Sequence, residues 1–136
     1  MNGSREMADE GRKFLSIIKS TKSAKKFTPS VLYNITAMAL EKFVMATCMY
    51  HDSLPENHTL TDLMDAVVKH VPVDESVSKA ILQFENVQQL CSLEDYERKE
   101  IAPDDLALFI ASVISFCTML DAHCSELFEG PLPASP

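Results

Sequence analysis

The chain has 136 residues, 46% of them hydrophobic, with 20 acidic against 12 basic side chains and a formal charge of −8, a balance that suits one soluble domain able to bury its own core. Three glycines and no tryptophan argue against a turn-rich β-sandwich, and no phosphate-binding P-loop or dinucleotide fingerprint occurs. Charge is uneven: residues 1–30 hold seven Lys/Arg against three acids and the remainder five against seventeen, so only the N-terminal segment could supply a basic nucleic-acid surface.

Residues 1–11 are polar and read as a disordered or frayed lead-in, followed by a single helical domain over 12–128 and a disordered Pro-rich tail over 129–136. Phe14, Leu15, Ile17 and Ile18 recur at helical spacing with lysines opposite, which predicts a first helix over roughly Glu6–Ser23. Lys19, Lys22 and Lys26 fall at three- and four-residue spacing on that side; they read either as a solvated stripe or as a face for RNA or another anion. Thr28-Pro29 is an N-cap followed by a proline at the first helical position, and the helix it opens runs to about Asp52. Apolar groups lie almost all round this second helix, with Glu41 and Lys42 as its only charges before Asp52, so the pair needs partners or an exit to solvent.

Pro55 breaks that helix, and Leu60, Leu63, Met64, Val67 and Val68 form one stripe up to Val71, where Pro72 stops it. Val77, Ile81, Leu82, Phe84, Val87 and Leu90 predict a further helix over Glu75–Cys91, and Ser92 to Pro103 is charged and patternless. Pro103-Asp104-Asp105 opens the last helix, expected to reach about Phe128. Its uncharged stretch, Leu106–Leu120, is fifteen residues long, short of the roughly 20 that a bilayer needs, so it reads as a buried helix with no membrane role. The class is therefore all-α, an up-and-down bundle of four to five helices.

Four cysteines without a CxxC pair and an N-terminus without an apolar signal core point to a reducing cytoplasm. Cys48 and His51 lie three apart with His58 past the turn, so a three-ligand metal site can be drawn; a core cysteine and a structural histidine are the simpler reading, and no metal or cofactor is expected. His123-Cys124 reads as a surface pair, because Asp121 and Glu126 beside it would raise the thiol pKa.

The run Ala39-Leu40-Glu41-Lys42-Phe43-Val44-Met45-Ala46, the break at Pro55, the helix start His58-Thr59-Leu60-Thr61-Asp62-Leu63, and Tyr96-Glu97-Arg98 before Pro103 together resemble the HEPN family of small helical domains, over about Phe14–Leu127. The resemblance implies a homodimer paired through the long second and fifth helices, in bacteria often beside a nucleotidyltransferase-like or toxin–antitoxin partner. It also implies a ribonuclease motif of Arg followed four to six residues later by His. Here Arg98 has Pro103 and Asp104 in that window and the next histidine is His123, so no catalytic residue is assigned and a noncatalytic binding or regulatory module is expected. The alternative is a residual ribonuclease or nucleotide-binding enzyme that borrows a histidine from another helix or subunit. The candidate ligand residues are Glu41, Lys42, His58, Asp62, Tyr96 and Arg98. A competing reading has Thr59 or His58 cap its helix with Asp62 in the first turn.

Overall fold

The computed structural model describes residues 3–20, 23–57, 59–85 and 102–129, and every regular element among them is helical. The elements are α1 (Ser4–Lys19), a single turn α2 (Ser23–Lys26), α3 (Pro29–Tyr50), α4 (Leu60–Val67), α5 (Glu75–Leu82) and α6 (Pro103–Glu129). This is the all-α bundle expected from the periodicities.

The long helix α3 is the axis of the bundle. It starts where Thr28 Oγ1 accepts the N–H of Val31 at 3.2 Å and Pro29 occupies the first turn, which satisfies one of the orphan donors of a helix start. It is buried on more than one side because α1, α4 and α6 all pack against it. Two buried hydroxyls in this apolar setting donate to carbonyls four residues back, Thr36 to Leu32 at 2.7 Å and Thr47 to Phe43 at 2.9 Å, so neither is left unsatisfied.

α1 runs antiparallel to α3. Gly3 lies by Met49, Ala8 packs with Ala46, and Gly11 lies against the Phe43 ring. The buried positions of α1 are Ser4, Ala8, Gly11, Leu15 and Ile18, one stripe at helical spacing whose first half is made of small residues. The disorder expected over residues 1–11 is therefore corrected from Ser4 onward. Small side chains do not look like a core stripe in a hydropathy reading, yet they bury an interface by allowing close approach. At its other end the helix stops at Lys19, short of Ser23, as Ser20 turns to extended backbone.

α6 runs parallel to α3: Tyr33 stacks on Phe109 with ring centroids 4.7 Å apart, and Thr47 meets Cys124 at 3.5 Å. The offset between partners is nearly constant, so the two helices keep register over four turns. The chain returns between them through the short helices α4 and α5. Leu106, Phe109, Val113, Phe116, Cys117, Leu120 and Cys124 are buried at spacings of three and four. On the other side Ala107, Leu108, Ala111, Ser115, Thr118 and Ala122 are exposed. The expectation of a buried last helix is thus met on one face only. Pro103–Glu126 is long and apolar enough to cross a membrane by length and composition, with 33% of its window buried; here its buried face packs on α1, α3 and α5.

α4 and α5 are held by their starts. Thr59 Oγ1 accepts the Asp62 N–H at 3.1 Å, and Asp74 Oδ1 accepts the Ser76 N–H at 2.9 Å. A second acceptor reaches α4 from far along the chain, where Glu85 takes the Leu60 N–H at 2.9 Å. The helix expected over Glu75–Cys91 is corrected to a shorter one: α5 ends at Leu82, where the Gln83 N–H caps it on the carbonyls of Lys79 and Ile81, and the part of the expectation beyond residue 85 lies outside the described residues.

Candidate functional site

Lys42 and Asp62, both candidate ligand residues, are engaged in separate local contacts. Lys42 Nζ pairs with Glu10 Oε2 of α1 at 3.4 Å, with the lysine half-buried. Asp62 sits in the first turn of α4, accepting the Thr59 hydroxyl at 2.7 Å while its own N–H returns to that hydroxyl oxygen. This is a reciprocal cap, so the capping reading of Thr59 and Asp62 is the one the structure bears out. Glu41, next to Lys42 on α3, is half-buried and has a partner of its own. His58, Tyr96, Arg98 and Lys22 lie outside the described residues. Lys19 and Lys26 are exposed, but they belong to α1 and α2, with extended backbone at Ser20 between them. One continuous lysine stripe on a single helix is therefore corrected to charges on two separate elements.

The residues that do converge are three histidines from distant parts of the chain. His51 closes α3: its N–H reaches the carbonyls of Cys48 and Met49, Asp52 follows with φ 57°, and the Ser53 N–H returns to Cys48 at 2.9 Å. A left-handed residue with a backward bond of this kind terminates a helix and turns the chain sharply. His70 ends the turn after α4, its N–H bonded to the Val67 carbonyl at 3.0 Å. His123 lies on α6, beside the buried Cys124. The rings of His51 and His70 are 4.4 Å apart and parallel within 4°, and those of His51 and His123 are 6.3 Å apart at 24°. Tyr50 meets His51 edge-on at 5.3 Å. Ser53 Oγ lies 2.8 Å from His70 Nε2.

Two buried polar atoms near this end of the bundle, Ser4 Oγ and His123 Nε2, lack polar partners among the described residues, and such atoms cost free energy wherever they occur. Burial holds the His70 imidazole below its ordinary value, with the charges of His51, Lys69 and His123 acting in the same sense. Burial likewise lowers His123, aided by His51 and opposed by Glu126. The thiols are pushed the other way: burial raises Cys48, Cys117 and Cys124, so none is an activated nucleophile. The expectation that His123-Cys124 is a surface pair is corrected, since Cys124 is fully buried against Ala8 and Ala46. The core reading of Cys48, fully buried in the main cluster, holds.

Beside the histidines lies an open cleft of about 410 Å³ lined by Met49, Asp52, Ser53 and Leu54. The Ser53–His70 contact on its rim has the atoms of a nucleophile and a base. The charged groups acting on His70, however, are two imidazoles and Lys69 rather than the carboxylate that would orient a catalytic histidine. Metal chelation is disfavoured too: parallel rings cannot both aim in-plane lone pairs at one ion, and no group of three ligands converges among the described residues.

His70 and His123 were not candidates on sequence grounds. Nothing in their spacing ties them to His51; only the parallel register of α3 and α6 brings residues 51 and 123 to one end. No family model, curated protein or solved structure matches the chain.

Proposed function

We propose that the protein is a noncatalytic binding or regulatory module of HEPN type that works as a homodimer, seamed along α6 and α3. The observation that carries this reading is the outward face of α6. Between Asp105 and Asp121 the helix has no charged residue, and Ala107, Leu108, Ala111, Ser115, Thr118 and Ala122 line its exposed side, with Leu108 46% exposed. A solvated helix face normally carries charge. Small residues one turn apart allow a second helix to approach closely, and a face without charge can meet its own copy without repulsion. Thr118 returns its hydroxyl to Ile114 at 2.7 Å and so needs no hydrogen bond from a partner.

Area decides how much of the surface such a dimer must use. A helix of 27 residues is about 40 Å long, and at about 10 Å wide its face offers roughly 400 Å². Stable pairs bury about 800 Å² per partner. Part of the remainder would come from α3, which packs beside α6 and exposes Val31 at 39% and Met38 at 42%.

The noncatalytic part rests on chemistry rather than area. Lys42 is neutralised by Glu10, the described thiols are held protonated, and no histidine follows Arg98 at the spacing of the family's ribonuclease motif. The dimer would then serve a protein partner, of the nucleotidyltransferase-like or toxin–antitoxin kind that the family resemblance suggests, in a bacterial cytoplasm. Light scattering coupled to size exclusion tests the seam: a dimer is expected at micromolar concentration, and Ala111→Glu should yield a folded monomer. A native monomer at 100 µM refutes the homodimer. RNA cleavage lost in Arg98→Ala would refute the noncatalytic assignment.

A further inference from the structure

None of His51, His70 and His123 belongs to the exposed residues of α6 that carry the proposed dimer, and together they join the end of α3, the turn after α4 and α6. We propose that this cluster is a proton-operated latch: the neutral rings fasten the turn after α4 to the ends of α3 and α6, and charging more than one ring releases that turn beside the cleft at Met49, Asp52, Ser53 and Leu54.

The geometry supports this in three steps. The turn Val68–His70 carries its load through His70, whose ring lies against His51 and whose Nε2 meets Ser53 Oγ at 2.8 Å. The serine bond tolerates a proton, because a charged His70 donates to Ser53 Oγ while the serine hydroxyl turns to the Cys48 carbonyl, 3.3 Å away. The ring stack does not tolerate two. Unit charges at the 4.4 Å separation of His51 and His70 disfavour joint protonation roughly five-fold in bulk water and roughly 600-fold at an effective dielectric of 20. His51 is exposed and His70 half-buried, so the pair lies between these limits.

The surrounding charges do not rescue the charged state. Lys69, from the same turn, adds to the repulsion at His70. On α6 Glu126 favours a charged His123, while Asp121 is committed to Arg12 of α1 at 2.8 Å, and Arg12 is shared with Asp9. Around α3 the neighbours are the raised Cys48 thiol, the Tyr50 ring and Asp52, which already has a partner. On α6 the Cys124 thiol is also raised and meets Thr47. Of these groups, those acting on His70 all disfavour its charged form, and Glu126 alone favours that of His123.

The latch is read in two measurements on the intact chain. In proton NMR, with ring signals assigned by single His→Gln replacements, His70 and His123 should titrate below the ordinary imidazole midpoint of about 6.5. His51→Gln, a change at an exposed position, should raise the His70 midpoint. In hydrogen exchange, the amides of His70 and Val71, both bonded to the Val67 carbonyl, should lose protection at least ten-fold between pH 7 and pH 5 after correction for intrinsic rates, while Phe43 and Val44 in α3 stay protected. In the His51→Gln, His123→Gln double variant that acid-induced loss should disappear. Midpoints that ignore His51→Gln, equal protection at both pH values, or equal acceleration at Phe43 and Val44 would each overturn the latch.

Discussion

A methyl group added at Gly11 tests the packing that sets α1 on α3. In an exposed helix interior, Gly→Ala stabilises by about 1 kcal/mol, because glycine loses more backbone freedom on folding. Here the new Cβ would stand 3.0 Å from two carbons of the Phe43 ring and 3.2 Å from a third, against an ordinary carbon contact of about 3.5–4.0 Å. Phe43 is fully buried and has nowhere to turn, so α1 must shift outward by about half an ångström or more, loosening Lys42–Glu10 and Arg12–Asp121 with it. Overpacking of this kind costs about 1–3 kcal/mol, which outweighs the propensity gain and leaves a net loss of about 1 kcal/mol. With a urea slope of about 1.5 kcal/mol per molar, the midpoint falls by about 0.7 M. In a Phe43→Leu background the ring is gone, and the same Gly11→Ala change should raise the midpoint. A higher midpoint in the native background, or the same shift in both, refutes the close-approach argument.

Thr59→Ala removes the cap that Asp62 completes and should cost about 1 kcal/mol in urea denaturation; Glu85→Ala, which strips the distant acceptor from the Leu60 N–H, should cost a similar amount and couple to it in a double-mutant cycle. Tyr33→Phe keeps the stack on Phe109 but deletes the hydroxyl that donates to the Phe84 carbonyl at 3.3 Å, so a loss of about 0.5–1.5 kcal/mol is expected. Cys48, Cys117 and Cys124, buried and held protonated, should resist alkylation at pH 8 until denaturant is added, as read by mass spectrometry. Because His70 and His123 are lowered in the folded chain, the unfolded chain takes up protons first on acidification. Stability is therefore flat above about pH 6.5 and declines as pH falls through the folded midpoints, a decline that His51→Gln should lessen in urea melts.

The helices themselves were legible because their signals are local. Thr28-Pro29 sets the start of α3, Pro72 and Asp74 bracket the gap before α5, and Pro103 opens α6 at the expected residue. The start of α1 was read near Glu6, two residues inside the observed Ser4, but its burial was not legible, since its contact stripe there is Ser4, Ala8 and Gly11, residues whose burial comes from smallness rather than hydropathy. The degree of burial of α6 was overestimated for the opposite reason: an uncharged helix says that water is not preferred on any face, but not which faces this chain itself covers. Among the site residues, Thr59 and Asp62 obeyed a local rule and were readable as a cap. Cys48 was readable as core. The meeting of His51, His70 and His123 depends on α3 and α6 running parallel with α4 and α5 as the return, a long-range fact with no periodic trace.

The seam and the latch occupy different stretches of the same helix, and this makes them separable. Ala111, at the middle of the exposed face, is twelve residues before His123, about 18 Å along the axis. Met38, the α3 residue of the seam nearest to His51 in sequence, is thirteen residues before it, about 20 Å away. Sites at such distances that share no partner act additively, so Ala111→Glu should change mass in solution without moving the histidine midpoints, and His51→Gln should do the reverse. Ala122 is the exception, exposed on the seam face and adjacent in sequence to His123. A charge placed there acts on both, and if the dimer seam extends that far, its strength must fall on acidification by the same factor by which dimerisation lowers the affinity of the rings for protons.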